Sequence, residues 1–229
     1  MSRIILIETS TALCSVALEQ DGGIVAARES DAPKAHAAMT APFVKQVLDE
    51  RGLTVKDCDA VCVSAGPGSY TGLRVGVSTA KGLCFATGLP LLAVGTLDIL
   101  ARQAMEEGLP GEIRHIIPMV DARRMEVYTA IYSTGGRRLT EVEPRIVDGE
   151  TFREILSEGP AAFIGDGAGK CRDAIASPGS LFIQTCPKAG AMASLAEEAL
   201  KAGDIKDCAY FEPFYLKQFI ATTSKKKLF

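Results

Sequence analysis

Two short segments combine side chains and backbone groups that could hold an anion. Ile7-Glu8-Thr9-Ser10-Thr11 places three hydroxyls directly after a carboxylate, in a turn between two apolar runs. The N–H groups and hydroxyls of such a turn can wrap phosphate oxygens while Glu8 holds a hydrated Mg²⁺. The same residues also serve as ordinary turn formers. The second segment, Ala65-Gly66-Pro67-Gly68-Ser69-Tyr70-Thr71-Gly72, lies between an apolar run and a helical pattern. There Gly66 and Gly68 allow close backbone approach, and the N–H groups that open the helix around Ser69 can meet an anion. The alternative is a rigid strand-to-helix turn. No Gly-Lys-Ser/Thr follows, and three residues separate Gly68 from Gly72, so the segment is neither a Walker loop nor a dinucleotide fingerprint. A third turn, Gly165 to Gly169, could approach a nucleotide, but its motif is weak.

Other chemistries find little support. The two histidines, His36 and His115, are far apart in sequence, and neither His-Glu-x-x-His nor Gly-x-Ser-x-Gly occurs. Seven cysteines without a Cys-x-x-Cys pair give neither a disulfide framework nor a zinc site, and read as buried small hydrophobes.

The elements that must position these residues follow from periodicity. Arg3 to Glu8, Cys14 to Gln20 and Ile24 to Arg28 read as an opening β-meander. Met39, Phe43 and Val47, widened by Val44 and Leu48, mark an amphipathic helix over Ala37 to Arg51 that Gly52 stops. A strand at Asp59 to Ser64, a helix at Leu73 to Thr87 and a strand at Leu91 to Val94 make a βαβ unit. Beyond it come a helix at Leu97 to Glu107 and strands at Ile113 to Val120 and Met125 to Tyr132. Helices at Glu150 to Glu158, Lys170 to Ala176 and Ala191 to Ala202 then alternate with strands at Ala161 to Ile164 and Leu181 to Ile183. The class is α/β, with two halves of similar plan. Gly72, Gly76, Ala80 and Cys84 leave one face of the second helix nearly free of bulk. That face could pack on the chain's own sheet or, with the Met39, Phe43 and Val47 stripe, against another subunit.

Hydrophobic residues make up 47% and charged residues 23% of the 229, enough for a sizeable core. The net charge of −3 argues against a protein that grips nucleic acid by itself. The apolar run Ile4 to Ile7 is too short for a signal sequence or a membrane span, which leads to the expectation of a cytoplasmic protein.

Several of these features together resemble the TsaB family, also called YeaZ. They are the opening Ile-Glu-Thr-Ser-Thr-x-x-Cys-Ser-Val-Ala-Leu, Lys34-Ala35-His36 with Pro42, the Gly66 to Gly76 segment, Ala80-Lys81-Gly82-Leu83, the Gly165-Asp166-Gly167 turn and Pro213-Phe214-Tyr215-Leu216. The resemblance implies an actin/hexokinase/Hsp70-like (ASKHA) fold, with lobes expected at 1–97 and 98–212 and residues 213–229 packing back on the first. It also implies a non-catalytic partner of TsaD, the transferase that places a threonylcarbamoyl group on N6 of the tRNA adenosine next to the anticodon. The ATPase TsaE would join the pair, TsaC would supply the intermediate, and the isolated chain would homodimerise. The tRNA would be met only through the complex, and no membrane is involved. The expected partner surface comprises His36, Met39, Phe43, Val47, Gly72, Gly76, Ala80 and Cys84.

Two departures bear on chemistry. Thr96 and Leu100 stand where the resemblance to TsaD would require metal-binding histidines, and without imidazoles a transition metal has no site there. Glu8 stands where the fold commonly has Asp, which shifts the carboxylate and puts intrinsic Mg-ATP binding in doubt. Glu8, Thr9, Ser10, Thr11, Gly66, Gly68 and Ser69 are therefore read as a remnant phosphate site. No intrinsic cofactor is expected, though ATP or ADP with Mg could sit at the subunit junction. A small-molecule kinase or ATPase of the same fold is the alternative, and a glycoprotease-type peptidase ranks third.

Overall fold

A computed structural model describes residues 2–33 and 35–216. The chain begins with β1 (Arg3–Glu8), β2 (Cys14–Gln20) and β3 (Gly23–Ser30), followed by α1 (Ala35–Asp49), β4 (Ala60–Ser64), α2 (Tyr70–Thr87) and β5 (Leu91–Val94). These strands form one sheet of order β3-β2-β1-β4-β5, antiparallel through the meander and parallel from β1 onward. In β1, Ile5 and Ile7 face one side and Ile4 and Leu6 the other, as the two-residue period of a strand requires. Helices α1 and α2 cover the first side. Both faces of the sheet are covered, which is why β1 and β4 are unbroken apolar runs.

After α3 (Thr96–Glu107), the second sheet is built from β6 (His115–Asp121), β7 (Glu126–Thr129), β8 (Tyr132–Ser133), β9 (Glu143–Ile146), β10 (Ala161–Ile164) and β11 (Leu181–Ile183), with α4 (Arg153–Ser157) and α5 (Ala168–Ile175) between the later strands. Its order, β11-β10-β6-β7-β9 with β8 also on β6, repeats the plan of the first sheet. The expected single strand over Met125 to Tyr132 is interrupted after Thr129, and β9 escapes the sequence pattern. It is an edge strand, Glu-Pro-Arg-Ile, where a proline without an N–H is tolerated and little apolar periodicity is needed.

The lobes do not divide at residue 97. Helix α3 lies between them, with Ile99 in the core of the first sheet and Leu97, Leu100, Ala101 and Ala104 in a core with Ile116, Val120 and Tyr132 of the second. The last helix, α6 (Ala193–Ala202), was expected in the second lobe but packs on the first sheet, through Ala193 and Ala196 against the face that carries Ile4 and Leu6. Residues 204–216 then run over the first lobe. Lys206 N donates to Leu91 O at 2.8 Å and Phe214 N to Ala65 O at 2.7 Å. The expected return of 213–229 is thus seen for 213–216, while residues 217–229, including Lys225-Lys226-Lys227, lie outside the described residues, as does Lys34.

Helix α2 is seated by its glycines. A Cβ at Gly72 would lie 2.1 Å from Thr9 O, and one at Gly76 would lie 2.2 Å from Thr9 Oγ1. Gly82, on the outer side, has nothing within 4 Å of its would-be Cβ. Gly76→Ala is expected to destabilise the chain by about 1–3 kcal/mol through overpacking. Gly82→Ala should be neutral or stabilising by up to about 1 kcal/mol through helix propensity. Urea unfolding midpoints check both, and equal midpoints for the two variants would contradict this packing.

Candidate functional site

Glu8, Thr9, Ser10 and Thr11 are all buried, at 0%, 0%, 0% and 5% exposure. The β1–β2 turn and the loop before α2 do come together, but their donors are turned on each other. Ser69 N donates to Ser10 O at 2.6 Å. Thr9 Oγ1 donates to Gly72 O at 2.8 Å, Ser69 Oγ caps α2 by accepting from Gly72 N at 3.2 Å, and Ser10 N donates to the Glu8 carboxylate at 2.5 Å. Gly68 belongs to the same contact, since a Cβ there would lie 2.2 Å from Ser10 O. Gly66, with φ of 103°, is pressed against Phe214 O instead. Thr9 Oγ1, Ser10 N and Ser69 N are therefore spent inside the chain, while the Ser10 and Thr11 hydroxyls are not.

A cleft of about 670 Å³ opens beside this contact, lined by Ser10, Thr11, His36, Ser69, Arg123 and Asp166 and edged by Phe214 and Tyr215. Ser10 Oγ, Thr11 Oγ1 and His36 Nε2 are buried polar atoms without a hydrogen-bond partner, as is the second Glu8 oxygen. Burial pushes the Glu8 carboxyl up to about 7, and the charge of Asp166 adds to the rise, against hydrogen bonds from Ser10 and Ser64. A carboxyl that holds its proton to neutrality and points inward does not fit a ligand for hydrated Mg²⁺. On the opposite lobe Asp166 is also raised, mainly by burial. It accepts from Asp121 N at 2.9 Å, and Asp121 in turn accepts from Arg123 N at 2.7 Å and Lys170 Nζ at 2.5 Å. The acidic pair Asp121 and Asp166 at the cleft is thus held by donors of the chain itself.

Arg123 is a cleft residue that the sequence reading missed. It and Arg124 hold φ of 75° and 50° in the β6–β7 turn, a left-handed pair usually given to Asn or Gly. Asp-Ala-Arg-Arg offers no turn signal that would have revealed it. His115 does not join His36; it stands at the start of β6 with Nε2 3.4 Å from Glu158.

The expected partner surface needs correction. Phe43 and Val47 are buried in the core beneath α1, and Gly72, Gly76, Ala80 and Cys84 face inward on α2. These residues form the face that seats both helices on their own sheet. Only His36 and Met39 of that set are partly exposed. Outward, α1 presents Ala38, Ala41, Pro42 and Lys45, while α2 presents Ser78, Gly82 and Phe85, the last 89% exposed. Phe85 is a large aromatic of α2 off the small-residue stripe, and that was the available signal.

A protein-family model described as TsaD, tRNA N6-adenosine threonylcarbamoyltransferase, matches residues 11–162. The tRNA threonylcarbamoyladenosine biosynthesis protein TsaB of Escherichia coli K12 is 31% identical over 230 residues, covering 96% of each chain. Among solved structures, YeaZ from Pseudomonas aeruginosa is 30% identical with a TM-score of 0.82, covering 94% of this chain and all of that one. The chain belongs to the TsaB family. A more distant structure shares the fold alone. It is the activator of the 2-hydroxyisocaproyl-CoA dehydratase from Clostridium difficile with bound ADPNP, with a TM-score of 0.51 at 12% identity over 90% of this chain. The two lobes are those of the actin/hexokinase/Hsp70-like fold.

Within that family's frame, Thr96 and Leu100 are both fully buried. Thr96 N donates to Gly66 O at 2.9 Å, and Leu100 belongs to the core between the lobes, where it offers no donor atom to a metal. Among the described residues no group of His, Cys, Asp or Glu is arranged to hold a metal ion, and no helix is long and apolar enough to cross a membrane.

The buried Glu8 makes stability depend on pH. The unfolded chain releases this proton near 4.5 and the folded chain near 7. Between those values the folded state binds more protons, so stability falls as pH rises, and the loss is complete above the folded value. The span corresponds to at most about 3 kcal/mol. Glu8→Gln, which cannot ionise, should flatten this slope and be more stable than the wild type at pH 8. Unfolding midpoints at pH 5 and pH 8 measure it, and parallel slopes for the two proteins would contradict the assignment.

Proposed function

We propose that this chain is a non-catalytic partner and activator subunit in the formation of the threonylcarbamoyl group on N6 of the adenosine adjacent to the anticodon. It binds TsaD and, with it, TsaE, downstream of TsaC, and it meets tRNA only through that complex. Family membership supports the pathway. The observation that carries the partner role is the outward exposure of Phe85 on α2, a helix that also presents Ser78 and Gly82, while α1 presents Ala38, Ala41 and Pro42 outward. Small residues let two further helices approach closely, and covering a phenylalanine is worth about 1.5–3 kcal/mol. The same face would pair two copies of the chain when TsaD is absent, in the cytoplasm where the tRNA is modified.

The non-catalytic part of the reading is supported by the use of Thr9 Oγ1, Ser10 N and Ser69 N inside the chain and by Thr96 and Leu100. A nucleotide, if one takes part, belongs at the junction with TsaD and not in this chain's own cleft.

Phe85→Glu is expected to weaken association with TsaD by about tenfold or more, the factor that corresponds to losing 1.4 kcal/mol. It should slow tRNA modification in a reconstituted system in parallel and leave the unfolding midpoint of the isolated chain unchanged. Unaltered co-purification and modification would remove this surface from the assembly. Calorimetry with Mg-ATP on the isolated chain separates the kinase or ATPase alternative, since micromolar binding with turnover would replace the subunit reading.

A further inference from the structure

The strap formed by residues 204–216 is held to α2 around one residue, Lys81. Lys81 Nζ donates to Ala209 O at 2.9 Å and Phe211 O at 3.1 Å, and the Cys208 thiol donates back to Lys81 O at 3.4 Å. Cys84 lies three residues further along the helix. A helical side chain at that offset leans over the carbonyl three residues before it, so the sulfurs of Cys84 and Cys208 converge from the helix and from the strap. Cys84 is 2% exposed in the core of the first lobe, and Cys208 and Phe211 pack against that core. Cys208 is also the neighbour whose charge acts on the Cys84 thiol. All seven cysteines are free thiols. From Cys208 the strap continues to the mouth of the cleft, where Phe214 N reaches Ala65 O and the Tyr215 ring lies 5.0 Å from that of Tyr70.

We propose that Cys84 and Cys208 form a reversible disulfide under peroxide, a redox latch that fastens the C-terminal strap to α2. The partly exposed Cys208 reacts first. Its sulfur takes one oxygen from hydrogen peroxide as the O–O bond breaks, giving a sulfenic acid and water. The Cys84 sulfur then attacks the sulfenic sulfur. An S–S bond forms, the S–O bond breaks, and the hydroxyl leaves with the Cys84 proton as a second water. The thiols together lose two electrons and the peroxide gains two. Burial pushes the Cys84 thiol up to about 12, with Cys208 adding to it, which keeps Cys84 silent toward oxidant in solvent and leaves the first reaction to Cys208. A small-molecule thiol reverses the bond by exchange.

The full chain treated with hydrogen peroxide, alkylated and digested without reduction should yield a Cys84–Cys208 linked peptide that dithiothreitol removes and that Cys208→Ser lacks. Chymotryptic cleavage after Tyr210, whose ring is 84% exposed, should slow about fivefold on oxidation, because local opening of the strap is suppressed. Reduction should restore it, and Cys208→Ser should show no change. Recovery of Cys208 as sulfinic or sulfonic acid beside unmodified Cys84, or its linkage to another cysteine, would overturn the pairing. A linked peptide with unchanged cleavage would overturn the latch.

Discussion

The seat of α2 on the β1–β2 turn is the contact on which the first lobe depends. Thr9 lies between two glycines one helical turn apart. Its hydroxyl donates to Gly72 O at 2.8 Å, and its oxygens occupy the space where β-carbons of residues 72 and 76 would be. No larger residue could stand at either position without moving backbone or displacing a buried hydroxyl. This contact fixes the height of α2 above the sheet and draws Ser69 N onto Ser10 O. It thereby removes Thr9 Oγ1 and Ser69 N from the donors that the cleft could offer, and leaves the hydroxyls of Ser10 and Thr11 without a partner in the chain.

The same contact explains a division of labour between the faces of α2. The glycine face is consumed inside the chain. The outer face carries Phe85 and little else of bulk, and a third side receives the strap through Lys81 and Cys208. A helix used on three sides must compromise on each, and small residues at most positions are the result. The two lobes are joined in a similar way, with α3 shared between their cores and α6 returned to the first sheet.

Glu8 has a structural use at the end of β1. Its carboxyl closes the turn by accepting from Ser10 N, and the cost of burying it is met by retaining its proton toward neutral pH. On the other lobe, Asp166 and Asp121 accept backbone and lysine donors within the chain. The cleft that remains is lined by hydroxyls and by aromatic residues of the strap.

Periodicity alone determined the α/β class, the opening meander, the βαβ unit and most later elements, because apolar side chains must recur at intervals of two or of three to four residues to reach a core. The Glu8 to Thr11 turn and the Gly66 to Ser69 loop were also legible as special, since hydroxyls and glycines at strand ends have few other uses. Tertiary structure alone decided what those features do. A small-residue stripe has the same sequence whether its partner is the chain's own sheet or another subunit, and only the packing of Thr9 on Gly72 and Gly76 and of the first-lobe core on Ala80 and Cys84 shows that the stripe faces inward. The return of α6 to the first sheet, the Arg123 turn at the cleft and the meeting of Cys84 with Cys208 join residues far apart in the chain. Local pattern carries no record of such distances, because they are set by how whole elements pack.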